Sequence, residues 1–280
     1  MSGRRLDKKV SMGYVFGTAL MVVLAIITTY PFVWMIFSSF KLDTEIVTYP
    51  PSLFGKNYTV ANYQKIWDRL PFLRYYLNTV IFAGGTTLIS LLFDSMAGYA
   101  FARLQFRGRN GLFMLVMCTL MVPFQVIMIG LFFVVNKLGI LNTFWGLILP
   151  RASSAFGIFM MRQFFLTLPK DLEDAARIDG CSEFKIFLKV MLPQCKPALL
   201  SLGIFHLMNN WNDLLYPLIL TTDNKMYTIA AGLATFKGQH VVEYGLTMAG
   251  ACLSILPVLI VYFFAQKQFI EGMAMTGMKD

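Results

Sequence analysis

The residues of this sequence that carry chemistry fall into three groups. The first is an acidic run, Glu173-Asp174-Ala175-Ala176-Arg177-Ile178-Asp179-Gly180. Its carboxylates can meet a basic group, its alanines permit close packing, and its glycine lets the chain turn away. The second is Asn209-Asn210-Trp211-Asn212-Asp213 with Tyr216. Amides and a carboxylate match hydroxyl groups, and an aromatic ring offers an apolar face to sugar C–H groups, so this cluster suits a saccharide path. It equally suits hydrogen bonding between packed helices. The third is a pair of isolated charges, Asp94 and Arg151, each inside an apolar stretch. Hydrolytic and metal chemistry find no support: there is no GxxxxGK[ST], HExxH or GxSxG pattern. Cys118, Cys181, Cys195 and Cys252 form no CxxC pair, and only two histidines accompany them, so they read as reduced structural thiols.

The elements that must position these groups belong to a membrane. The 280 residues are 57% hydrophobic and only 14% charged, with a mean hydropathy of +0.62. The net charge of +9 does not indicate nucleic-acid binding, because the basic residues sit between apolar runs rather than on one face. A helix needs roughly 20 residues to cross the hydrocarbon. Six stretches qualify, at about Tyr14–Phe37, Tyr76–Phe101, Leu112–Val135, Phe144–Phe165, Pro197–Leu220 and Gly245–Ala265. The first is too long for a signal peptide and lacks a small-residue cleavage site, so it is expected to be retained. With the N-terminus inside, fifteen of the 24 Lys and Arg residues are cytoplasmic and eight are not, with Arg151 inside a span, which predicts that both termini are cytoplasmic.

Pro31, Pro123, Pro150, Pro217 and Pro257 each fall in a different span, and the second span carries Gly84-Gly85 instead, so bent helices are expected. The longest cytoplasmic segment, Thr167 to Lys196, reads as two short amphipathic helices. Pro169, Asp171 and Glu173 suit the first turn of one, and Gly180 suits a left-handed stop. Ser182 is placed to cap the second, where Phe184, Phe187, Leu188 and Met191 recur at helical spacing until Pro193 ends it.

The run Glu173 to Gly180, followed by Leu192-Pro193 and Pro197, resembles the EAA loop of ABC importer permeases. The similarity extends over most of the chain, through Pro31-Phe32, Ser39-Phe40-Lys41, Ala97-Gly98-Tyr99-Ala100-Phe101-Ala102-Arg103, Val122-Pro123-Phe124-Gln125, Arg162-Gln163-Phe164-Phe165, Trp211-Asn212-Asp213 and Glu271-Gly272. Together these look like the carbohydrate-uptake branch, in particular its smaller, maltose-type permease subunit. The resemblance implies an all-α membrane protein of the type I importer permease fold, with six transmembrane helices and a cytoplasmic coupling loop. Residues 1–13 would form a cytoplasmic N-terminus, 14–270 the permease domain with the loop at 167–196, and 271–280 a cytoplasmic tail.

It also implies partners: a second permease, two ATP-binding subunits that hold ATP and magnesium, and an extracytoplasmic solute-binding protein, all at a prokaryotic plasma membrane, with no cofactor in this chain. Glu173, Asp174, Ala175, Ala176, Asp179, Gly180 and Pro193 would couple to the ATPase, with Glu173 bridging to a basic group there. A loop lying on the inner lipid surface is the alternative, opposed by Glu173, Asp174, Asp179 and Glu183 near anionic lipid. Gly272, Gly277 and Lys279 belong to a tail resembling one that reaches the ATPase dimer interface; a tail without fixed structure is the alternative.

The path for a sugar is expected along Asn209, Asn210, Trp211, Asn212, Asp213 and Tyr216, with Gln125 and Arg151. Asp94 and Arg151 depart from the family pattern. Both fall roughly 14–16 Å above the cytoplasmic ends of their helices by helical rise, so an ion pair between spans two and four is expected, since either charge alone is costly in hydrocarbon. The rival is that Arg151 attracts an acidic sugar or sugar phosphate. His206 reads either as a hydrogen-bonded helix packer or as a path residue. Outside this class stand an ion-coupled secondary transporter, for which inverted repeats are not evident, and a membrane enzyme, which lacks a nucleophile and base.

Overall fold

A computed structural model describes residues 12–235 and 243–277, with side chains described through residue 263 and at 266. Among these residues the structure is helical, with one isolated bridge, Lys41 to Tyr58, and no sheet. Two compact units make up the chain, the first built from residues 12–69 and 243–253 and the second from 70–235 and 254–277.

The first unit opens with α1 (Met12–Ser39), an apolar helix whose side chains stay almost wholly exposed until Ser38 and Ser39. It is followed by α2 (Asp43–Ile46) and α3 (Ala61–Arg69). The turns between them are held by polar groups rather than by length of helix. The buried Lys41 ammonium donates to the Ser52 carbonyl at 2.5 Å, and the Asn62 amide donates to the carbonyls of Ser39 and Lys41, both at 2.9 Å. The Glu45 carboxylate accepts from the backbone N–H groups of Lys56 and Asn57. Asp43 accepts from Gly245 N–H at 2.6 Å, and Arg69 pairs with Glu243 at 2.6 Å.

The second unit is organised on α4 (Phe72–Arg103), 32 residues long and buried along one side. Next come α5 (Arg109–Cys118), which tightens into a 3₁₀ turn at Thr119–Met121, and α6 (Phe124–Lys137). Then follow α7 (Phe144–Ile148) with a 3₁₀ turn at Leu149–Arg151, and α8 (Ala155–Thr167). A hook is formed by α9 (Asp171–Ile178), α10 (Glu183–Ile186), a π turn at Phe187–Met191 and α11 (Leu192–Gln194). The unit continues through α12 (Lys196–Trp211), α13 (Leu215–Leu220) and α14 (Ile229–Ala234). Last is α15 (Tyr244–Gly277), whose residues before Ser254 belong to the first unit.

Two apolar cores hold the second unit. One joins Tyr99 and Ala102 of α4 to Phe165 of α8, Ala176 of the hook and Leu202 of α12. The other gathers Phe82, Val135, Leu147, Ile148, Tyr216 and Leu220. Close approach of α4 and α8 needs Gly98, where an added Cβ would lie 2.7 Å from Met161 Cβ and 2.9 Å from the Arg162 backbone nitrogen.

Three helices, α1, α4 and α15, are long and apolar enough to cross a membrane, and three bent pairs pass the same test together, for up to six crossings if each pair serves as one. The expected single helices three to five are therefore broken. The third turns through 104° between Met121 and Phe124, with Pro123 capping α6, and the fourth bends by 46° after Pro150. Pro31 and Pro257, by contrast, stay inside α1 and α15. The expected span Pro197–Leu220 stops at Trp211 and restarts at Leu215. Polar side chains compete with the backbone there: the Asn212 amide donates to the Met208 carbonyl at 2.9 Å, and Asp213 accepts from Tyr216 N–H at 3.0 Å. Pro217, which cannot donate to the carbonyl four residues back, then sits in a first helical turn, where its missing N–H costs little. In the hook, Gly180 has φ +75° as its stop requires. Ser182 stands at the cap position without a side-chain bond, and Pro193 does not end the helix, which runs through the π turn to Gln194 and bends by 82° into α12.

Candidate functional site

The hook presents charge on one side and apolar surface on the other. Arg177 binds Asp174 at 2.9 Å and Glu183 at 2.7 Å, stapling α9 to α10 across Gly180. This hydrogen bond holds the Glu183 carboxyl below its ordinary range, and the same contact raises the Arg177 guanidinium. Tyr99 donates to Glu183 at 3.3 Å, which ties the staple to α4. Glu173 does not face outward. It is buried, 3.6 Å from Arg103 Nε, too far for a hydrogen bond. Burial raises its carboxyl above the ordinary range, against the lowering effect of Arg103. Arg103 also donates to the carbonyls of Phe165 and Leu168 at the end of α8. Within the chain Glu173 therefore pairs with Arg103 on the inward side of α9, because the helical phase that buries Ala176 also buries Glu173. Exposed on α9 are Asp171, Leu172, Asp174, Ala175, Arg177 and Ile178, the last 87% exposed, and Asp179 follows at its C-cap.

A polar cavity of about 370 Å³ lies where the broken helices meet α4. Its wall includes Thr86 and Ser90 of α4, Ser153 and Ser154 ahead of α8, and Asn209 of α12. Two ionic clusters border it. In one, Asp94, completely buried, accepts from Ser153 Oγ at 2.7 Å and Ser154 N–H at 2.8 Å, and its other oxygen meets Ser154 Oγ at 3.1 Å and His206 Nε2 at 2.9 Å. Ser154 in turn caps α8 by accepting from Gly157 N–H at 2.9 Å. Gly157 must lack a side chain, because a Cβ there would overlap the Asp94 carboxylate. In the other cluster Arg151 donates to Asn210 Oδ1 and pairs with Asp213 Oδ2, both at 2.6 Å, while its guanidinium carbon lies 4.4 Å above the Tyr216 ring. Ser90 Oγ donates to the Arg151 carbonyl at 2.8 Å.

The pair expected between Asp94 and Arg151 is not formed. Each finds a different partner, because the 3₁₀ turn at Leu149–Arg151 and the following Ala152 turn the chain so that Ser153 and Ser154, not Arg151, reach Asp94. Of the expected path residues, Arg151, Asn209, Asn210 and Asp213 line the cavity. Tyr216 lies under Arg151, buried in the adjoining core. Trp211 lines a separate apolar cavity of about 270 Å³ with Pro257 and Tyr262, and donates to the Ser254 carbonyl at 3.2 Å. Asn212 and Gln125 are exposed away from the cavity lining. Gly272 and Gly277 lie on the α15 backbone where side chains are not described, and Lys279 lies outside the described residues. Sequence reasoning passed over Thr86, Ser90, Ser153, Ser154 and Gly157. A signal existed, since Thr86, Ser90 and Asp94 recur every four residues on one face of an apolar helix.

Residues 94–273 match the family of binding-protein-dependent transport system inner membrane components. Over its length the chain is similar to the arabinooligosaccharides transport system permease protein AraQ of Halalkalibacterium halodurans, at 38% identity covering 91% of this chain and 93% of that one. It is also similar to the diacetylchitobiose uptake system permease protein NgcG of Streptomyces coelicolor, at 33% identity covering 92% and 86%. In fold it resembles a chain of a bacterial ABC transporter involved in the import of the acidic polysaccharide alginate, with a TM-score of 0.81 and 23% identity over 95% of this chain and 100% of that one. The chain belongs to this family of inner membrane components and is a permease subunit of an ATP-binding-cassette importer.

Proposed function

We propose that this chain pairs with a second permease to carry a sugar or oligosaccharide across a prokaryotic plasma membrane. An extracytoplasmic binding protein delivers the solute, and two partner subunits bind ATP and magnesium. Relatives named as permeases for arabinooligosaccharides and diacetylchitobiose support the substrate class. In this reading α1, α4, α5 with α6, α7 with α8, α12 with α13, and α15 are six crossings of a permease domain spanning 14–270. Residues 1–13 and the tail 271–280 are cytoplasmic, and Gly272, Gly277 and Lys279 meet the ATPase dimer. The hook within 167–196 docks on an ATP-binding subunit through Asp174, Ala175 and Asp179, while Glu173 and Ala176 fasten it to the body and Gly180 and Pro193 set its turns.

One observation carries the reading: α12 begins at the hook, in the apolar core, and ends at the polar cavity, through Asn209 and Asn210. A displacement imposed on the hook by closure of the ATPase therefore reaches the cavity along one helix. Docking of the loaded binding protein and ATP-driven closure open the path outward, and hydrolysis returns it inward.

The test is Gly180→Val in the reconstituted importer. A β-branched residue cannot take φ +75° without strain, so the angle between α9 and α10 changes. ATP hydrolysis is expected to continue while sugar uptake falls at least about tenfold, with the variant still in the membrane. Normal uptake would refute the coupling role of the hook.

A further inference from the structure

Among the described residues the polar cavity has no positive charge to spare. Three ionisable side chains line it, and each has a partner: Arg151 with Asp213 at 2.6 Å, and His206 with the buried Asp94 at 2.9 Å. The Arg151 guanidinium is further occupied by the Asn210 amide oxygen and by the Tyr216 ring. The remaining polar groups on the wall are neutral: the hydroxyls of Thr86, Ser90, Ser153 and Ser154 and the amide of Asn209. Thr86 is buried, and its hydroxyl has no hydrogen-bond partner in the protein, which leaves a donor and acceptor available to a ligand hydroxyl.

We infer that this cavity is a subsite for a neutral, polyhydroxylated ligand, and that Asp213 is the residue that excludes acidic saccharides by holding Arg151. The inference rests on the sugar-path reading above and narrows its substrate class. An incoming carboxylate could bind Arg151 only by displacing Asp213, and that would leave a mostly buried carboxylate unpaired. Asp213 has a second anchor, the Tyr216 N–H, which keeps it at the break between α12 and α13 and opposes its displacement. A neutral sugar meets no such cost, since it bonds to hydroxyls and amides without breaking an ion pair. Removal of the Asp213 charge alone would turn Arg151 into an open anion site in the same wall.

The experiment is saturation-transfer NMR on the complete importer in detergent, without its binding protein, using arabinotriose as the neutral probe and trigalacturonate as the acidic one. The wild-type importer is expected to saturate the neutral probe at least fivefold more strongly. Asp213→Asn should raise the acidic signal at least fivefold, and the added Arg151→Gln should remove that gain. Equal wild-type signals, or an Asp213→Asn importer with an unchanged ratio, would overturn the charge rule alone. Absence of both signals from the wild type would overturn the sugar-path reading, and this inference with it. The wild-type ratio decides the matter even if a variant fails to assemble.

Discussion

The two ends of the second unit solve opposite problems. At the hook end the buried surface is mostly apolar, drawn from Tyr99, Phe165, Phe187 and Leu202 around the pair Arg103–Glu173, and the ion pairs of Arg177 lie outside it. Around the cavity the charges are inside and the helices are broken to reach them. The apolar end fixes the geometry through shape, and the polar end through pairing. The lesson is that the first should punish a volume change and tolerate a charge change outside its buried pair, Arg103 with Glu173, whereas the second should do the reverse, except where a glycine stands against a carboxylate.

The largest expected effect is at that exception. Gly157→Ala places a methyl group on the Asp94 carboxylate, and displacing it from its buried hydrogen bonds to Ser153, Ser154 and His206 is expected to cost about 3 kcal/mol. Loss of the folded fraction in detergent on heating, measured by fluorescence-detected gel filtration, checks it. An unchanged melting curve would mean that Asp94 can move, and the contrast between the two ends would weaken. Next, Arg103→Leu leaves Glu173 buried beside nothing of opposite charge within the pair, so it should destabilise more than Arg103→Leu combined with Glu173→Leu. A strictly additive double variant would show that the two charges, 3.6 Å apart, do not interact. Gly98→Ala tests the volume rule where α4 meets α8 and should cost on the order of 1–3 kcal/mol by overpacking.

The smallest effect is a pH dependence at the staple. Glu183 is held below its ordinary range by Arg177, so its stabilising contribution is complete above the unfolded carboxyl value and fades as the pH falls through the folded one. Because Glu183 and Arg177 are each more than a third exposed, the loss should stay under about 1 kcal/mol. Glu173 runs the other way: its raised value means that the cost of burying its charge is relieved as the pH falls through the folded value. The protection of amides in α9 and α10, corrected for the intrinsic pH dependence of exchange, should therefore fall from neutral to mildly acidic pH more in Glu173→Gln, which lacks the opposing carboxyl, than in the parent. Equal acid responses would remove the distinction between an inward and an outward carboxylate.

Much of the fold was legible in the sequence because it rests on local rules. Apolar runs announced α1, α4 and α15, and Gly180 announced the turn in the hook. The breaks in the remaining expected spans were only half legible. Pro123 and Pro150 mark two of them, whereas the third is made by Asn212 and Asp213 a few residues ahead of Pro217. The pairing of charges was misread for a related reason. Depth along two ideal helices placed Asp94 level with Arg151, but Arg151 stands on a 3₁₀ turn, whose rise and direction differ from those of an α-helix. That Glu173 faces inward was not legible, because a motif gives the type of a residue and not the side of the helix that packs against the body.

One stripe of α12 constrains how the protein can move. Ala198, Leu202, His206 and Asn210 follow one another at four-residue spacing, all buried, apolar in the lower two turns and polar in the upper two. Sliding the helix by one such step, about 6 Å, would set Leu202 against the Asp94 carboxylate in one direction and draw His206 into the apolar core in the other. A ratchet of this helix past its neighbours is therefore closed off by its own register. In the transport reading proposed above, the stroke would tilt α12 rather than slide it, with its bends at Cys195 and at Asn212–Leu214 as the pivots.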